Sequence, residues 1–336
     1  MALKIGIVGA TGMVGEAFMD ILTRHKIEID ELRPFASENS KGKKIQLAGK
    51  DWECQVLAEN CFQGLDVVFF SSGDHISKEW GPKAVEQGAF AIDNSAAYRM
   101  DPNTSLVVPE VNGDLLPSKD KPELIANPNC STIQLVVALN PLKKFGMQAV
   151  KVATYQAVSG SGKAAQAELL DQSTSYLADG KIANAPEVYP HQIAFNCIPH
   201  IGGFNDEGFC SEEVKIQKET KKILGLPNLK VSAFTVRIPS LNGHSEAAWV
   251  TFDQEVSKTD IMSALESAEG LQLVPQNKPE DYPTSFTTSG TEPVYVGRVH
   301  QDPEDPKTWM FWVVADNILK GAALNGLQIA KKIYDL

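Results

Sequence analysis

Residues 3–8 read as a short buried strand, and Met13, Val14, Phe18, Ile21 and Leu22 then recur at helical spacing, so the chain opens strand-then-helix. Further strand-like runs follow at 32–36, 66–70, 89–92 and 124–126, with a helical segment at 80–87. Strands alternating with helices predict parallel βαβ units. Beyond residue 130 the texture changes to longer alternating strands at 150–158, 231–238, 247–252, 294–298 and 310–315. Helical patterns at 164–177, 212–224 and 259–268 interrupt them, which predicts a mixed sheet with helices on one face. A final stripe through Ile318, Leu319, Ala322, Ile329, Ala330 and Ile333 predicts a terminal helix over 317–334 that packs back on the first domain.

A chain of 336 residues with 43% apolar and 22% charged positions can bury a large core and is long enough for two domains. Forty-two acids against 31 bases give a net charge of −11, which argues against nonspecific binding to nucleic acid or an anionic membrane. No stretch approaches the ~18 apolar residues of a membrane span, and the broken apolar run at the amino end is too short for a signal peptide, so a soluble cytoplasmic protein is expected. The five cysteines, at 54, 61, 130, 197 and 210, are scattered without a CxxC pair. That pattern fits reduced thiols, with no disulfide framework and no metal site.

Six segments carry chemistry, three of them within the first 134 residues. Between the first strand and helix, Gly9-Ala10-Thr11-Gly12-Met13-Val14-Gly15 is a GxxGxxG turn, whose backbone amides and helix amino terminus can approach a pyrophosphate. A tight turn that binds nothing is the competing reading. After the second strand, where NAD-specific proteins place an acid, Ala36-Ser37-Glu38-Asn39-Ser40-Lys41-Gly42-Lys43-Lys44 offers serines and lysines, a set suited to a 2′-phosphate or simply to a solvated loop. Cys130 precedes Ser131, which with Gln134 fits a capping box; this predicts a helix starting just after the sulfur, whose amides and dipole favour thiolate.

The other chemistry lies further on. Thr154 through Lys163 is a strand opening into a Gly/Ser loop whose amides could hold an anion, although Ala157 and Ala164 exclude a phosphate-binding P-loop. Arg237 through Glu246 is a strand end, a Pro/Gly turn and a new strand, a reversal that brings Arg237 and His244 to one sheet edge. Histidine can shuttle a proton and arginine can clamp a carboxylate. Glu212 and Lys215, three apart, share a helix face, most simply as solvated surface.

In order along the chain, Gly9–Gly15, Ser95–Arg99, Asn129-Cys130-Ser131-Thr132, Tyr155–Gly160, Glu212–Lys215, Arg237–His244 and Asp316–Ala323 resemble the aspartate-β-semialdehyde dehydrogenase family. The resemblance implies an α/β fold: a Rossmann-type dinucleotide-binding domain (1–128 and 317–336) plus an α+β catalytic and dimerisation domain (129–316) with a mixed sheet, like that of glyceraldehyde-3-phosphate dehydrogenases. It implies an NADP-dependent phosphorylating aldehyde dehydrogenase that acts through a cysteine thioester in lysine, methionine and threonine synthesis. Its pattern makes Cys130 the nucleophile, His244 the acid/base and Gln156 the residue orienting the reacting centre. Arg237 and Glu212 match the contacts to the substrate carboxylate and ammonium, and Arg99, Asn129 and Lys215 the phosphate site. Gly9, Thr11, Gly12, Met13, Val14, Ser37, Ser40, Ser159, Gly160 and Asn317 are the expected cofactor contacts. Where NADP-using relatives often place an arginine, Asn39 stands, so NAD stays open. The expected partners are the small-molecule substrate, phosphate and a second copy of the chain, as a dimer or dimer of dimers.

Three other readings remain. An N-acetyl-γ-glutamyl-phosphate reductase performs the same chemistry, but its substrate has no ammonium for Glu212. A short-chain epimerase or reductase needs a YxxxK pair, and no tyrosine here has lysine four residues later. A silent dinucleotide sensor would leave Cys130, Gln156 and His244 without a shared purpose.

Overall fold

The computed structural model describes residues 2–182 and 185–336, and the chain divides into two compact units, Met1–Asn129 with Gly321–Leu336, and Cys130–Lys320. In the first unit β1 (Leu3–Val8) runs into α1 (Met13–Arg24) and β2 (Ile29–Phe35). A small antiparallel hairpin, β3 (Lys44–Leu47) and β4 (Lys50–Glu53), comes before β5 (Val67–Phe70), α2 (Asp74–Glu86) and β6 (Phe90–Asp93). Then come β7 (Ser105–Leu106), α3 (Pro109–Asn112) and β8 (Leu124–Ala126). The sheet order is β2-β1-β5-β6-β8-β7, parallel throughout, and β5 and β6 are buried along their whole length because helices cover both faces of such a sheet. Successive crossovers leave β1 in opposite directions, so the glycine turn at its carboxyl end sits at the topological switch point.

The helix α1 buries Phe18, Ile21 and Leu22, with the Phe18 ring 4.4 Å from that of Phe69. The chain's last helix, Leu324–Tyr334, packs on α1 and α3 as the apolar stripe predicts. Asn325 anchors it by donating to Val107 O at 3.0 Å and Asn127 Oδ1 at 2.6 Å. Its first stretch, Leu319–Ala323, is a π-helical turn rather than part of one continuous α-helix.

The second unit contains α4 (Cys130–Leu139), β9 (Met147–Gln156), α5 (Lys163–Asp179), α6 (Ser211–Leu224), β10 (Lys230–Arg237), β11 (His244–Phe252) and α7 (Lys258–Glu266). It closes with β12 (Leu271–Leu273), β13 (Val294–Gln301) and β14 (Thr308–Ala315). Their order, β10-β9-β11-β14-β13-β12, combines parallel pairs at both edges with antiparallel pairs in the centre, the mixed sheet that the alternation predicts. One face packs under α4 and α6. The opposite face is apolar and open, with Phe234 57% exposed, Tyr155 37% exposed and the Tyr155 ring 5.5 Å from Trp312.

Candidate active site

In the first unit the glycine turn is built for backbone approach. Gly9 adopts φ 86°, and a Cβ there would meet the Ser71 carbonyl oxygen at 2.9 Å. A Cβ on Gly15 would lie 2.7 Å from Ala10 Cα, so the helix can sit this close to the turn only with glycine. The helix opens without a side-chain cap, and Glu16 N to Gly12 O is its first hydrogen bond. The amides of Met13, Val14 and Gly15 therefore lie ahead of the helical ladder at the positive end of the dipole, a cradle that fits an anionic pyrophosphate. Ser37 and Ser40 bracket a short 3-10 turn after β2, where Ser40 N donates to Ser37 O. Of the nearby lysines, Lys41 lies 4.0 Å from Glu38 and Lys44 3.8 Å from Asp51, both exposed pairs of little strength. Arg99 is buried in the same unit, with Nε donating to Asn127 O at 3.0 Å and Nη2 to Asn94 O at 2.8 Å. These bonds tie it to the segment that ends at the buried Asn129.

In the second unit, Cys130 is the first residue of α4 rather than a residue outside it, and the capping box does not form, because Gln134 Oε1 accepts from no donor among the described residues. Gln134 turns away from the helix start and donates from Nε2 to the His244 carbonyl at 3.3 Å; a long-range partner has displaced the local one. Residues 131–139 are buried, whereas Cys130 stays partly exposed. The sulfur thus sits at the accessible, positive end of a helix otherwise sealed in the core.

The remaining candidates converge on one edge of the mixed sheet because three strands end there. Gln156 closes β9, Arg237 closes β10 in register with it, and His244 opens β11 on the other side of β9. The reversal between Arg237 and His244 therefore crosses the end of β9 and is no simple hairpin. Gln156 accepts from Thr154 Oγ1 at 3.0 Å and donates to Glu212 Oε1 at 3.1 Å, which fixes its amide orientation. Lys215 Nζ lies 3.4 Å from Glu212 Oε2, so the predicted face-sharing pair exists, but Glu212 is a buried carboxylate rather than solvated surface. Arg237 donates through Nη1 to Ala157 O at 2.6 Å.

His244 is fully buried, and its Nδ1 accepts from Ala157 N at 3.1 Å. Burial and then the Arg237 charge lower its pKa to about 3 against the opposing pull of Glu212 and the Gly243 carbonyl, so the ring is neutral near neutral pH. With Nδ1 accepting, the ring proton is assigned to Nε2, which has no partner among the described residues. Gly160 is the meeting point: a Cβ there would lie 2.9 Å from Arg237 Nη1 and 3.3 Å from His244 Nε2.

The Gly/Ser loop has less to offer an anion than its composition suggests. The amides of Ala157, Val158, Gly160 and Gly162 are already bonded within the protein. Ser159 and Asn317 turn inward: the Ser159 hydroxyl is 3.0 Å from Oδ1 of both Asn242 and Asn317, and Asn317 Oδ1 also accepts from Gly243 N at 2.9 Å. Their side chains brace the turn that delivers His244. Asp316 completes the brace by accepting from Asn242 Nδ2 and Gly290 N, both at 2.7 Å. Asn242 and Asp316 fall within segments legible in the sequence but without a role there, and the contact of Gln134 with His244 has no local signal; for Asn242 the Asn-Gly turn ahead of the histidine is the one cue.

Residues 4–118 match the family model described as semialdehyde dehydrogenase, NAD binding domain, and residues 139–320 match semialdehyde dehydrogenase, dimerisation domain. The aspartate-semialdehyde dehydrogenase of Aquifex aeolicus is 44% identical over 98% of this chain and 98% of that protein. Aspartate semialdehyde dehydrogenase II of Vibrio cholerae, solved as a complex with ASA, superposes with a TM-score of 0.95 at 39% identity, covering 100% of this chain and 99% of that one. The Candida albicans aspartate semialdehyde dehydrogenase solved with NADP superposes with a TM-score of 0.74 at 25% identity over 99% of each chain.

Proposed function

The chain belongs to the aspartate-semialdehyde dehydrogenase family, and from that premise we propose that it interconverts L-aspartate-β-semialdehyde plus phosphate and L-β-aspartyl phosphate, with NADP(H) as hydride carrier, in amino-acid biosynthesis. The observation that carries this reading is the convergence of Arg237 and His244 on Gly160, with buried Glu212 held by Gln156 at the same sheet edge. An α-amino acid presents a carboxylate and an ammonium, and Arg237 and Glu212 are their complements. Cys130 is the nucleophile: its thiolate adds to the aldehyde carbon, and the thiohemiacetal collapses to a thioester as the carbon–hydrogen bond breaks. A bound nicotinamide supplies the hydride acceptor, which no side chain can be. His244 donates from Nε2 to the developing oxyanion, a role open to a neutral imidazole. Phosphate then attacks the thioester carbonyl and the thiolate leaves, so the acyl energy is kept as aspartyl phosphate. We assign the phosphate to Arg99, Asn129 and Lys215.

The amides of the Gly9–Gly15 turn, with Thr11, Met13 and Val14, would hold the cofactor pyrophosphate. Ser37 and Ser40 would meet a 2′-phosphate, which favours NADP, while Gly160 keeps the space over Arg237 and His244 clear of a side chain. The Candida protein solved with NADP supports that preference. A second copy of the chain is the natural cover for the open sheet face, whose groove is lined by Tyr155, Trp249, Tyr282, Met310 and Trp312. The test is cofactor reduction with the semialdehyde, with and without phosphate, using NADP and then NAD. Phosphate-dependent NADP reduction is expected. Turnover without phosphate, or none with either cofactor, overturns the reading.

A further inference from the structure

One buried ionisable group has no part in this chemistry. His244 and Glu246 are two apart on β11, so their side chains leave the same face of the sheet, and both are fully buried. The other residues of that row, Ala248, Val250 and Phe252, are core apolar positions. A carboxylate among them would lose its hydration without compensation. No donor among the described residues reaches either Glu246 oxygen. Burial raises its pKa well above the ordinary carboxyl range, against a smaller opposing pull from the nearby Gln134 side chain. Gln134 Oε1 is itself a buried acceptor without a donor, while its Nε2 already serves the His244 carbonyl at 3.3 Å.

Two buried acceptors on neighbouring side chains, neither satisfied, can be resolved by one proton. The carboxylic acid form of Glu246 has an O–H to donate and Gln134 Oε1 has a lone pair to receive it. The bond would also fix the amide, since an Oε1 held by Glu246 leaves Nε2 for His244. Gln134 lies one helical turn after Cys130, so the same amide joins the helix that carries the sulfur to the strand that carries the imidazole.

We propose that Glu246 is a positioning residue, a neutral carboxylic acid that donates to Gln134 Oε1 and thereby holds the start of α4 and the His244 backbone in fixed register. The proposal rests on the roles assigned above to Cys130 and His244. Glutamine at 246 keeps a donor and cannot ionise, whereas leucine keeps the bulk and removes the donor. Glu246→Gln should therefore retain kcat to within about twofold, while Glu246→Leu should lower kcat about tenfold or more with KM for the semialdehyde little changed. Gln134→Leu should match that loss, and the double variant should add little to it.

The protonation state is read without activity. The infrared difference spectrum of wild type minus Glu246→Gln at neutral pH should contain the carbonyl stretch of a protonated carboxyl, shifted in D2O. Carboxylate stretches in its place overturn the proposal whether or not the leucine variant folds. A Glu246→Gln variant as impaired as Glu246→Leu overturns it as well. If instead the wild-type enzyme fails the cofactor-reduction assay, the functional reading falls while the infrared result still decides the state of Glu246.

Discussion

The two candidate binding regions are made of different material. At the end of β1 the working surface is backbone: three amides, a helix dipole and glycines that keep side chains away. At the end of β9 it is side chains: an arginine, a glutamate, an amide and an imidazole, each buried and held by at least one specific bond. The first tolerates any sequence that leaves the backbone bare and so needs few identities. The second depends on identities brought from three strands and a helix, and it bears the desolvation of its charges.

That difference can be broken most severely at the sulfur. Cys130→Ala should reduce phosphate-dependent turnover at least about a thousandfold while leaving NADP affinity nearly unchanged, as expected when a nucleophile is lost but the binding surface is not. Steady-state kinetics and fluorescence titration check the two halves, and retained turnover refutes the assignment. Next, Gly15→Ala should damage only the backbone region. Its methyl would press on Ala10, so KM for NADP should rise about tenfold or more with little change in KM for the semialdehyde; equal changes in both would erase the contrast.

The buried imidazole sharpens the comparison through pH. The His244 pKa falls from 6.5 unfolded to about 3 folded, so its contribution to stability is complete above the unfolded value. As pH drops below that value the unfolded chain binds a proton that the folded one refuses, and stability is lost progressively until the folded value is reached. Urea unfolding should lose a few kcal/mol from this source between about pH 7 and about pH 4, and His244→Gln should lack that component. A wild-type minus variant difference that stays flat over the window counts against it. The smallest effect is expected at Glu212→Gln, where KM for the semialdehyde should rise about tenfold at unchanged melting temperature because one charge-assisted contact becomes neutral; unchanged kinetics would remove Glu212 from the ammonium site.

The sequence alone determined the parallel sheet, the glycine turn and the terminal helix, because each is written in a local period or in residues adjacent along the chain. It also presented the candidate side chains in order, since strand ends are where polar residues interrupt apolar alternation. Local signals failed at Ser131 and Gln134, where a short-range cap competed with a distant carbonyl and lost. They failed equally for Ser159 and Asn317, whose inward bonds to the 242–243 turn span 83 and 74 residues or more. Which strand neighbours which, and therefore that Arg237 and His244 meet over Gly160 across the end of β9, is a matter of register between segments far apart in sequence. Burial is decided at the same level: nothing in the run His244-Ser245-Glu246 distinguishes an exposed carboxylate from one sealed beside an unsatisfied amide, because solvent exclusion belongs to the packed sheet and helix and not to any residue within them.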